Sequence, residues 1–574
     1  MGIGGRFMLS YFPLPNPQSL SIPPLLCYDV QMIADVLITE KSFGPKILMK
    51  NIKFSINDGE KVGVVGRNGI GKSTLFNILA GQDKDFSGNI IFKRGVVVVS
   101  TAQEHHDVGE MTVLQYVLAG LPEYPQLSNI IETYPETMGD DMGLIDEYTQ
   151  ALMRFDDKGF YQIEEKIERE LENYQLPGIA HRKFSTLSGG QKRLVEVVKV
   201  MHSDAHLALV DEPTNHMDYV AKDQYIEWMQ GAREAMLVIT HDRDVLKEVD
   251  RIIELKDGEC ISYKGNYDAY LKQNAVTTGT QMNDFEMVEK RIVNLKQKVI
   301  DYQRLKEKSR NPSTIQKFKR LEENSRKELA ELQAKEKPTF WIDKESAANL
   351  NYKVAAQYDK FKSKNIRMNI KSDESRSKHV LATARNASIG YDKPLFSGIN
   401  IDLREGEALE LRGRNGCGKT TIIKALLGDK SPTVFDGELF LDHNVRVGVY
   451  EQEVSKEYFN LTLEQAIERL YLDRKLSISD TKIRGLMSDY LFTEEDRNIP
   501  IARLSGGQKA RFQLISMLAN SPQLLILDEP TNHLDLPSIE ELETALSKYT
   551  GAVIYVSHDG YFRRSIGGEI LLIS

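Results

Sequence analysis

Apolar and polar positions along this chain follow the same order in its two halves. Short apolar runs at 61–65 and 408–411 predict buried strands, and each leads through a glycine-rich stretch into apolar residues at helical spacing, at 75–80 and 422–427. Further apolar runs predict later strands at 96–99, 207–210 and 238–239 in the first half and at 447–450, 524–527 and 555–556 in the second. Strands that alternate with helices predict an α/β fold, here present as a tandem repeat.

The glycine-rich stretches match the phosphate loop Gly-x-x-x-x-Gly-Lys-Ser/Thr twice, at 66–73 and 413–420. Such a loop points backbone N–H groups at phosphates from the start of a helix. Lys72 and Lys419 are predicted to reach the β- and γ-phosphates, and Ser73 and Thr420 to ligate Mg²⁺. The predicted ATP-binding residues here are Gly66, Arg67, Asn68, Gly69, Ile70, Gly71, Lys72, Ser73, Thr74, Gly413, Arg414, Asn415, Gly416, Cys417, Gly418, Lys419, Thr420 and Thr421.

Two further features recur beside each loop. Leu-Ser-Gly-Gly-Gln occurs at 187–191 and 504–508, which adds the ATP-binding candidates Ser188, Gly189, Gly190, Gln191, Ser505, Gly506, Gly507 and Gln508. An aromatic residue upstream of each loop, Phe43 or Tyr391, could stack on adenine or belong to the core. The nearly equal spacing to the loop in both copies favours stacking.

Acidic pairs end the strands that precede a repeated Pro-Thr-Asn-His-x-Asp. Asp211 and Asp528 are predicted to hold Mg²⁺ through its waters, with Gln103 and Gln452 as further metal candidates. Glu212 and Glu529 are placed to polarise the attacking water, and His241 and His558 to contact the γ-phosphate. Phosphoryl transfer needs mainly positioning and charge stabilisation, which this set supplies.

These motifs resemble those of the ABC-F family, the twin ATP-binding-cassette ATPases that act on ribosomes, from about Met32 to the C-terminus. The resemblance implies two tandem ABC-type P-loop ATPase domains joined by a helical-hairpin linker, with ATP and Mg²⁺ as cofactors. It implies that Lys72 and Glu212 work with Ser505–Gln508, and Lys419 and Glu529 with Ser188–Gln191, so that both sites hydrolyse ATP. A cytoplasmic monomer would then need no second subunit for its ATP sites, would bind ribosomes when closed on ATP, and would leave after hydrolysis.

Composition narrows the classes of ATPase to which the chain could belong. The chain has 574 residues, 27% of them charged and 41% apolar, which fits a multidomain globular protein. No apolar stretch is long enough for a membrane helix, so the runner-up function, the ATPase of a transporter, would require a separate membrane subunit.

Cys27, Cys260 and Cys417 show no ligand spacing, unlike the zinc or iron–sulfur cysteines of repair and ribosome-recycling cassette proteins. Housekeeping translation factor and antibiotic-protection factor both remain open, and the inserts favour the first.

Two inserts distinguish the chain from a bare pair of cassettes. The stretch from Gln103 to Leu187 is 32 residues longer than its counterpart, and the extra residues fall in the region of about 118–157. They could be an ordinary loop elaboration. In the ABC-F proteins that the chain resembles, this position can carry a helical arm that touches the ribosome, and the length of the insert favours the arm. Between 286 and 338 there are 15 Lys/Arg and 9 Asp/Glu, whereas the whole chain has a net charge of −9. Helical spacing interrupted at 311–313 predicts a hairpin there. Its tip carries the RNA-contact candidates Arg304, Lys306, Lys308, Arg310, Lys317, Lys319 and Arg320. On charge alone the hairpin could equally be a solvated coiled-coil linker without a partner, and the resemblance favours contact with RNA.

The predicted domains are a first cassette at 32–272, a basic hairpin linker at 273–377 and a second cassette at 378–574. In the resembling family this linker reaches towards ribosomal RNA and the P-site tRNA. Residues 1–31 carry five prolines and no pattern of a buried element, which predicts a disordered tail or a misassigned start that should be Met32. Their removal is expected to leave ATPase activity and melting temperature unchanged.

Overall fold

A computed structural model describes residues 31–573 except 45, 103–107, 216, 334–365, 367, 369–378, 430, 452–453 and 533. The candidate metal ligands Gln103 and Gln452, most of the predicted tail at 1–31 and much of the predicted linker lie outside the described residues. Gln31 is described: its carbonyl accepts the N–H of Asp58 at 2.9 Å, and its side chain accepts Lys93 Nζ at 2.5 Å. The last residue of the predicted tail therefore bonds to the first half of the chain.

The N-terminal half contains two sheets. Its strands are β1 (Met32–Phe43), β2 (Lys46–Asn57), β3 (Lys61–Gly66), β4 (Ser87–Phe92), β5 (Val98–Ser100), β6 (Leu207–Asp211), β7 (Ala235–Ile239), β8 (Arg251–Lys256) and β9 (Glu259–Lys264). The antiparallel sheet has the order β2-β1-β4, and the larger one has the order β5-β6-β7-β3-β8-β9, parallel except for β9. The strand predicted at 96–99 is observed two residues later, as β5. β6 and β7 are buried along their whole length, as continuous apolar runs predict.

Helices connect these strands. They are α1 (Lys72–Leu79), α2 (Val113–Ala119), α3 (Tyr124–Thr137), α4 (Met142–Asp157), α5 (Ile163–Asn173), α6 (Gly189–Met201), α7 (Tyr219–Gly231) and α8 (Arg243–Leu246). α3 and α4 occupy the insert for which an arm is predicted and pack against each other. The ring of Tyr124, at the start of α3, lies 5.6 Å from Phe155 and 5.2 Å from Phe160, so an aromatic cluster anchors the insert to the rest of the half.

Two long helices leave the first half. α9 (Tyr267–Lys308) begins where the Asn266 side chain accepts the N–H of Ala269, and α10 (Pro312–Gln333) runs back along it. The Asn311 side chain accepts the backbone N–H and hydroxyl of Ser313 at the turn. The predicted end of the first domain at 272 falls within the second turn of α9, and this boundary stays a prediction.

The C-terminal half repeats the architecture. Its elements are β10 (Val380–Gly390), β11 (Pro394–Arg404), β12 (Ala408–Gly413), α11 (Lys419–Leu426), β13 (Thr433–Leu441), β14 (Val447–Tyr450), α12 (Leu463–Asp473), α13 (Asp480–Asp489), α14 (Gly506–Leu518), β15 (Leu524–Asp528), α15 (Leu536–Ser547), β16 (Ala552–Val556), α16 (Gly560–Ile566) and β17 (Glu569–Ile573). The sheets have the orders β11-β10-β13 and β14-β15-β16-β12-β17, the second parallel throughout. The predicted tandem α/β fold is confirmed.

Candidate ATP sites

The phosphate loops follow the central strands β3 and β12, at the edge where parallel strands end and α/β sheets bind ligands. Gly71 and Gly418 precede the first helical residue with φ of 109° and 99°, in the left-handed region that favours glycine. A Cβ at Gly418 would lie 2.6 Å from the Phe396 ring, so glycine is required there for space as well. The glycines predicted to shape the loops therefore have a structural reason at these two positions.

The loop lysines curl back over their own loops. Lys72 Nζ donates to the carbonyls of Gly66 at 2.7 Å and Arg67 at 3.2 Å, and it lies 3.3 Å from His241 Nε2. Lys419 Nζ makes the equivalent bonds to Gly413 at 2.8 Å and Arg414 at 2.9 Å. Both ammonium groups thus sit inside the loop whose amides are predicted to hold phosphate.

Each loop hydroxyl meets the first carboxylate of the acidic pair. Ser73 Oγ donates to Asp211 Oδ2 at 3.0 Å, and Thr420 Oγ1 to Asp528 Oδ2 at 2.9 Å. Hydroxyl and carboxylate oxygens are the donors that Mg²⁺ takes beside nucleotide phosphates. The oxygens brought together in both halves fit that ion.

The second carboxylates lie in a strained backbone. Glu212 and Glu529 have φ of 47° and 51°, although neither is glycine. Their N–H groups donate to the carbonyls of Ile239 at 2.7 Å and Val556 at 3.0 Å, which locks each residue to the neighbouring strand. Glu212 Oε1 lies 3.6 Å from His241 Nε2, and Glu529 Oε1 lies 3.0 Å from His558 Nε2. The predicted catalytic residues are therefore brought together in both halves.

Burial shifts the pKa values of these two glutamates and two histidines. Desolvation raises the pKa of Glu529 to about 7 and, together with the nearby charge of Asp211, raises the pKa of Glu212 as well. Desolvation, assisted by the charge of Lys419, lowers the pKa of His558 to about 3, and burial likewise lowers the pKa of His241. The histidines are therefore neutral at physiological pH, and each ring offers one N–H hydrogen-bond donor and one acceptor nitrogen.

A cavity of about 960 Å³ contains residues from both halves. From the N-terminal half it is lined by Lys72, Ser73, Asp211, Glu212 and His241, and from the C-terminal half by Ser505, Gly506, Gly507 and Gln508. Ser505 caps α14 by accepting the N–H of Gln508, and Ser188 caps α6 in the same way with Gln191. The Leu-Ser-Gly-Gly-Gln segments thus form helix N-termini, which favour anions.

Two aspartates join the halves directly and were not predicted as site residues. Asp535 Oδ2 accepts the N–H of Asn68 at 3.4 Å, and Asp218 Oδ2 accepts the N–H of Asn415 at 3.1 Å. Each aspartate therefore contacts the phosphate loop of the opposite half. Their repetition at the end of Pro-Thr-Asn-His-x-Asp was the available signal in the sequence.

The predicted adenine-stacking rings lie outside the core. Phe43 is 57% and Tyr391 43% exposed, and Phe43 also lines the cavity beside the first phosphate loop. The Lys41 ammonium lies 4.9 Å from the Phe43 ring centre, and the Tyr391 hydroxyl lies 3.5 Å from Thr421 Oγ1. Stacking on adenine stays a prediction for both.

Comparison with known proteins identifies the fold's family. A family model described as ABC transporter matches residues 49–215 and 396–532, and a second model with the same description matches 253–342. An ATP-binding protein of Bacillus subtilis, YdiF, is 31% identical over 95% of this chain and 80% of its own length. ABC transporter F family member 5 of Arabidopsis thaliana is 29% identical over 92% of this chain and 73% of its own. The chain belongs to the ABC-F family.

Other similarities agree with that assignment. The ribosome protection protein VmlR of Bacillus subtilis is 28% identical to this ABC-F chain, over 94% of this chain and 86% of its own length. The crystal structure of an archaeal ribosome recycling factor, aABCE1, matches 93% of this chain and 87% of its own with a TM-score of 0.52. At 16% identity that structure supports the fold alone. The two halves are ABC cassettes that bind ATP, and the protein is an ATP hydrolase.

The described part of the ABC-F chain contains no helix with the length and apolar character needed to span a bilayer.

Most of the predicted RNA-contact residues project from the hairpin into solvent. Arg304, Lys308, Arg310, Lys317, Lys319 and Arg320 are exposed. Lys306 differs: its Nζ forms an ion pair with Glu322 at 2.6 Å, on the face where the two helices meet. Apolar residues of the two helices lie on that face, with Leu295 and Val299 buried and the rings of Tyr302 and Phe318 stacked at 6.4 Å. Six of the seven candidates are therefore available to a partner.

Two charged residues of α6, which the sequence analysis did not predict, form hydrogen bonds around the first ATP site. Arg193 donates to the backbone carbonyls of Asp211 and Glu212. Glu196 is fully buried, accepts the N–H of Ala102 at 2.7 Å and pairs with Lys199 at 2.7 Å. The helix that starts at Leu-Ser-Gly-Gly-Gln is thereby bonded to the strand ends around its own cassette's acidic pair. No motif marks these positions, because Ala510 and Gln513 stand at the equivalent places in the second cassette.

Proposed function

We propose that the protein binds two ATP molecules between its cassettes, each against the phosphate loop of one and the Leu-Ser-Gly-Gly-Gln of the other. The observation that carries this is the shared cavity, lined by Lys72 and Glu212 together with Ser505–Gln508. The bonds from Asp535 to Asn68 and from Asp218 to Asn415 support it, because each closes one phosphate loop against the opposite cassette. Both sites are supplied by a single chain, so we propose a monomer.

Mg²⁺ is the proposed cofactor at each site. Ser73 with Asp211, and Thr420 with Asp528, would hold it, and the ion would neutralise charge that develops on the phosphates. Glu212 and Glu529 then orient the attacking water. His241 and His558, neutral and beside them, hydrogen-bond the γ-phosphate. Lys72 and Lys419 supply the fixed positive charge.

We further propose that this ATPase acts on ribosomes in the cytoplasm as a translation factor, bound while the cassettes are closed on ATP and released after hydrolysis. The similarity to a ribosome protection protein supports a ribosomal partner. The exposed basic tip of the hairpin supports contact with RNA, either ribosomal RNA or the P-site tRNA, because Lys and Arg side chains release counterions from phosphate backbones. The helices α3 and α4 are a second proposed contact.

The hairpin and the first ATP site share a packing contact. Tyr267 and Tyr270, in the first turn of α9, belong to a buried cluster that also contains Leu536 of the second cassette. Leu536 directly follows Asp535, whose carboxylate holds the first phosphate loop. Movement of the cassettes on hydrolysis would therefore be transmitted to the base of the hairpin.

The proposed function is tested by changing Glu212 and Glu529 together to Gln. The amides keep the size of the side chains and remove the charge that orients water, so we expect bound ATP with hydrolysis reduced by about a hundredfold or more. This variant should co-sediment with ribosomes in ATP and leave them when ATP is removed. The matched control is Glu227→Gln, an exposed glutamate on α7. A double variant that stays off ribosomes in ATP at physiological salt would disprove the ribosomal role.

A further inference from the structure

Lys222 is a buried lysine at the interface of the two cassettes. It lies on α7, four residues after Asp218, and only 5% of it is exposed. The equivalent residue of the second cassette, four after Asp535, is the apolar Ile539. A lysine at such a place is costly unless its charge is paired and its three N–H groups are satisfied.

Its partners belong to residues 241–244 and 558–561, which run from each histidine into the first turn of α8 or α16 and which we call the histidine loops. Nζ lies 2.6 Å from Asp244 Oδ2 and 3.4 Å from Asp242 Oδ2, in the loop that follows His241. The same Nζ donates to the backbone carbonyl of His558 at 3.1 Å, across the interface. Burial alone lowers the pKa of Lys222, but Asp242 and Asp244 outweigh it and the pKa is raised. One ammonium group therefore bridges the loops of the two candidate catalytic histidines.

The two histidine loops differ in the cation that links each of them to the opposite cassette. After His241 the chain reads Asp-Arg-Asp, whereas after His558 it reads Asp-Gly-Tyr. Arg243 of the first loop faces carboxylates on α15 of the second cassette, at 3.5 Å from Glu543 and 3.9 Å from Glu540. The second loop has Gly560 at the place of Arg243, and its cation comes instead from Lys222 of the first cassette.

We propose that Lys222 is a positioning residue for the second ATP site: it fixes the backbone of His558, and hence the histidine beside Glu529, from the opposite cassette. His558 Nε2 lies 3.0 Å from Glu529 Oε1, so a shift of its backbone would misplace the pair that faces the γ-phosphate. The first site has no equivalent lysine, because Ile539 occupies that position. The proposal rests on the proposed function in assuming that both sites hydrolyse ATP.

The test measures the activity of each ATP site alone, by inactivating the other site through its glutamate. Glu212→Gln leaves only the second site active, and Glu529→Gln leaves only the first. Lys222→Met, which keeps the length of the side chain without its charge, is then added to each. We expect kcat of the second site to fall by about ten- to a hundredfold, the usual cost of a small misplacement, with KM for ATP changed less than about threefold. In the first site we expect kcat to fall less than about threefold, since Arg243 still holds that loop.

Two further variants distinguish positioning from loss of structure. Lys222→Arg retains the charge and the donors, and should recover most of the second site's kcat. Asp244→Asn weakens the ion pair but leaves the bond to His558, and should spare the second site. Lys264→Met, an exposed lysine at the end of β9, is the matched control and should behave as its parent. Circular dichroism melting should show that every variant is folded at the assay temperature.

Equal losses at both sites, or a loss in Asp244→Asn as large as in Lys222→Met, would overturn the proposal, because the ion pairs alone would explain them. Unchanged kcat of the second site in Lys222→Met would overturn it as well. Failure of the proposed function would be visible separately: single Gln variants that retain full activity would refute the roles of the glutamates before Lys222 is changed. Ribosomes are absent from these assays, so the result does not depend on the ribosomal partner.

Discussion

Glu212 and Glu529 combine two unfavourable features, burial of a carboxyl group and a left-handed backbone. A non-glycine residue in that region costs about 1–3 kcal/mol and persists where its surroundings enforce it. Here the enforcing contacts are the N–H bonds to β7 and β16. The same conformation occurs in both cassettes, at the carboxylates assigned to water activation. Strain and raised pKa thus coincide at the residues with a proposed chemical role.

The raised pKa of Glu529 predicts the pH dependence of the second site. In Glu212→Gln protein only this site is active, and its water must be oriented by an ionised Glu529. Because the pKa of the free enzyme's Glu529 is raised to about 7, kcat/KM should fall as pH decreases through about 7 and reach a plateau above it. The measurement is ATPase kcat/KM from about pH 5.5 to 9 at saturating Mg²⁺, at pH values where the protein stays folded.

A carboxyl with an ordinary pKa would give a flat profile over most of that range. The control is the same titration of ATP binding to the Glu212→Gln/Glu529→Gln protein, which lacks both groups. A profile that stays flat from about pH 5.5 to 9 would contradict the raised pKa of Glu529. A midpoint near 7 that persists in the binding control would assign the titration to another group.

At the scale of elements, the exposed tip of the hairpin should govern the salt dependence of ribosome binding. Lys317→Glu, Lys319→Glu and Arg320→Glu, combined, remove three cations that project into solvent. Fewer released counterions should weaken binding and flatten the slope of log K against log salt by about two to three. Sedimentation across a salt titration gives this slope.

Lys290→Glu, Lys296→Glu and Lys298→Glu make the matched control for the tip. These lysines are exposed too and carry the same charge, but they lie nearer the base of α9. The slope should change less in the control, and ribosome-free ATPase should stay near wild type in both triple variants. Equal slopes in the two triple variants would show that the hairpin acts through its total charge and that its tip makes no special contact.

Leu536 is predicted to link the hairpin to the first ATP site. Its side chain is buried in the cluster with Tyr267 and Tyr270, so Leu536→Ala should destabilise the protein by about 2–5 kcal/mol. We expect ribosomes to stimulate the ATPase, and Leu536→Ala should reduce this stimulation more than the basal rate, because the hairpin and Asp535 lose their shared packing. Tyr219→Ala is the control, since Tyr219 follows Asp218 in the same way but is 38% exposed. A similar loss of stimulation in both variants would refute a link through Leu536.

The sequence predicted most of the elements and candidate site residues that are repeated, Asp218 and Asp535 excepted, and it missed those that are not repeated. Strands β3, β6, β12 and β15 and the helices after the phosphate loops were predictable, because continuous apolar runs and glycine-rich loops have direct physical meanings. Lys222, Arg243 and Glu196 were not, since a charged residue in a helix or loop usually reads as solvated. Their role depends on which partners the fold brings across an interface, and Lys306 shows the converse, a predicted contact residue held by Glu322.

At the scale of the whole molecule, the two proposed ATP sites draw their residues from both cassettes of one chain. Asp218 and Asp535 contact the opposite phosphate loop, and Lys222 and Arg243 reach across the same interface. The connection between the cassettes includes α9 and α10, which keeps the cassettes at high effective concentration. Closure on ATP is therefore expected to be intramolecular and independent of protein concentration.

Mixing two inactive chains tests this expectation. Lys72→Ala and Ser505→Arg each disable the first site, from opposite sides of the cavity, and Glu529→Gln in both chains silences the second. If the first site is assembled within one chain, a mixture of Lys72→Ala and Ser505→Arg proteins should remain as inactive as either alone at every concentration. If chains pair, one Lys72 would meet one Ser505 in a mixed dimer, and activity would reappear with concentration. The parent Glu529→Gln protein, whose first site is intact, sets the activity that complementation would approach. ATPase activity that recovers in the mixture would therefore rule out the monomer, whereas an inactive mixture beside an active parent would support the intramolecular site.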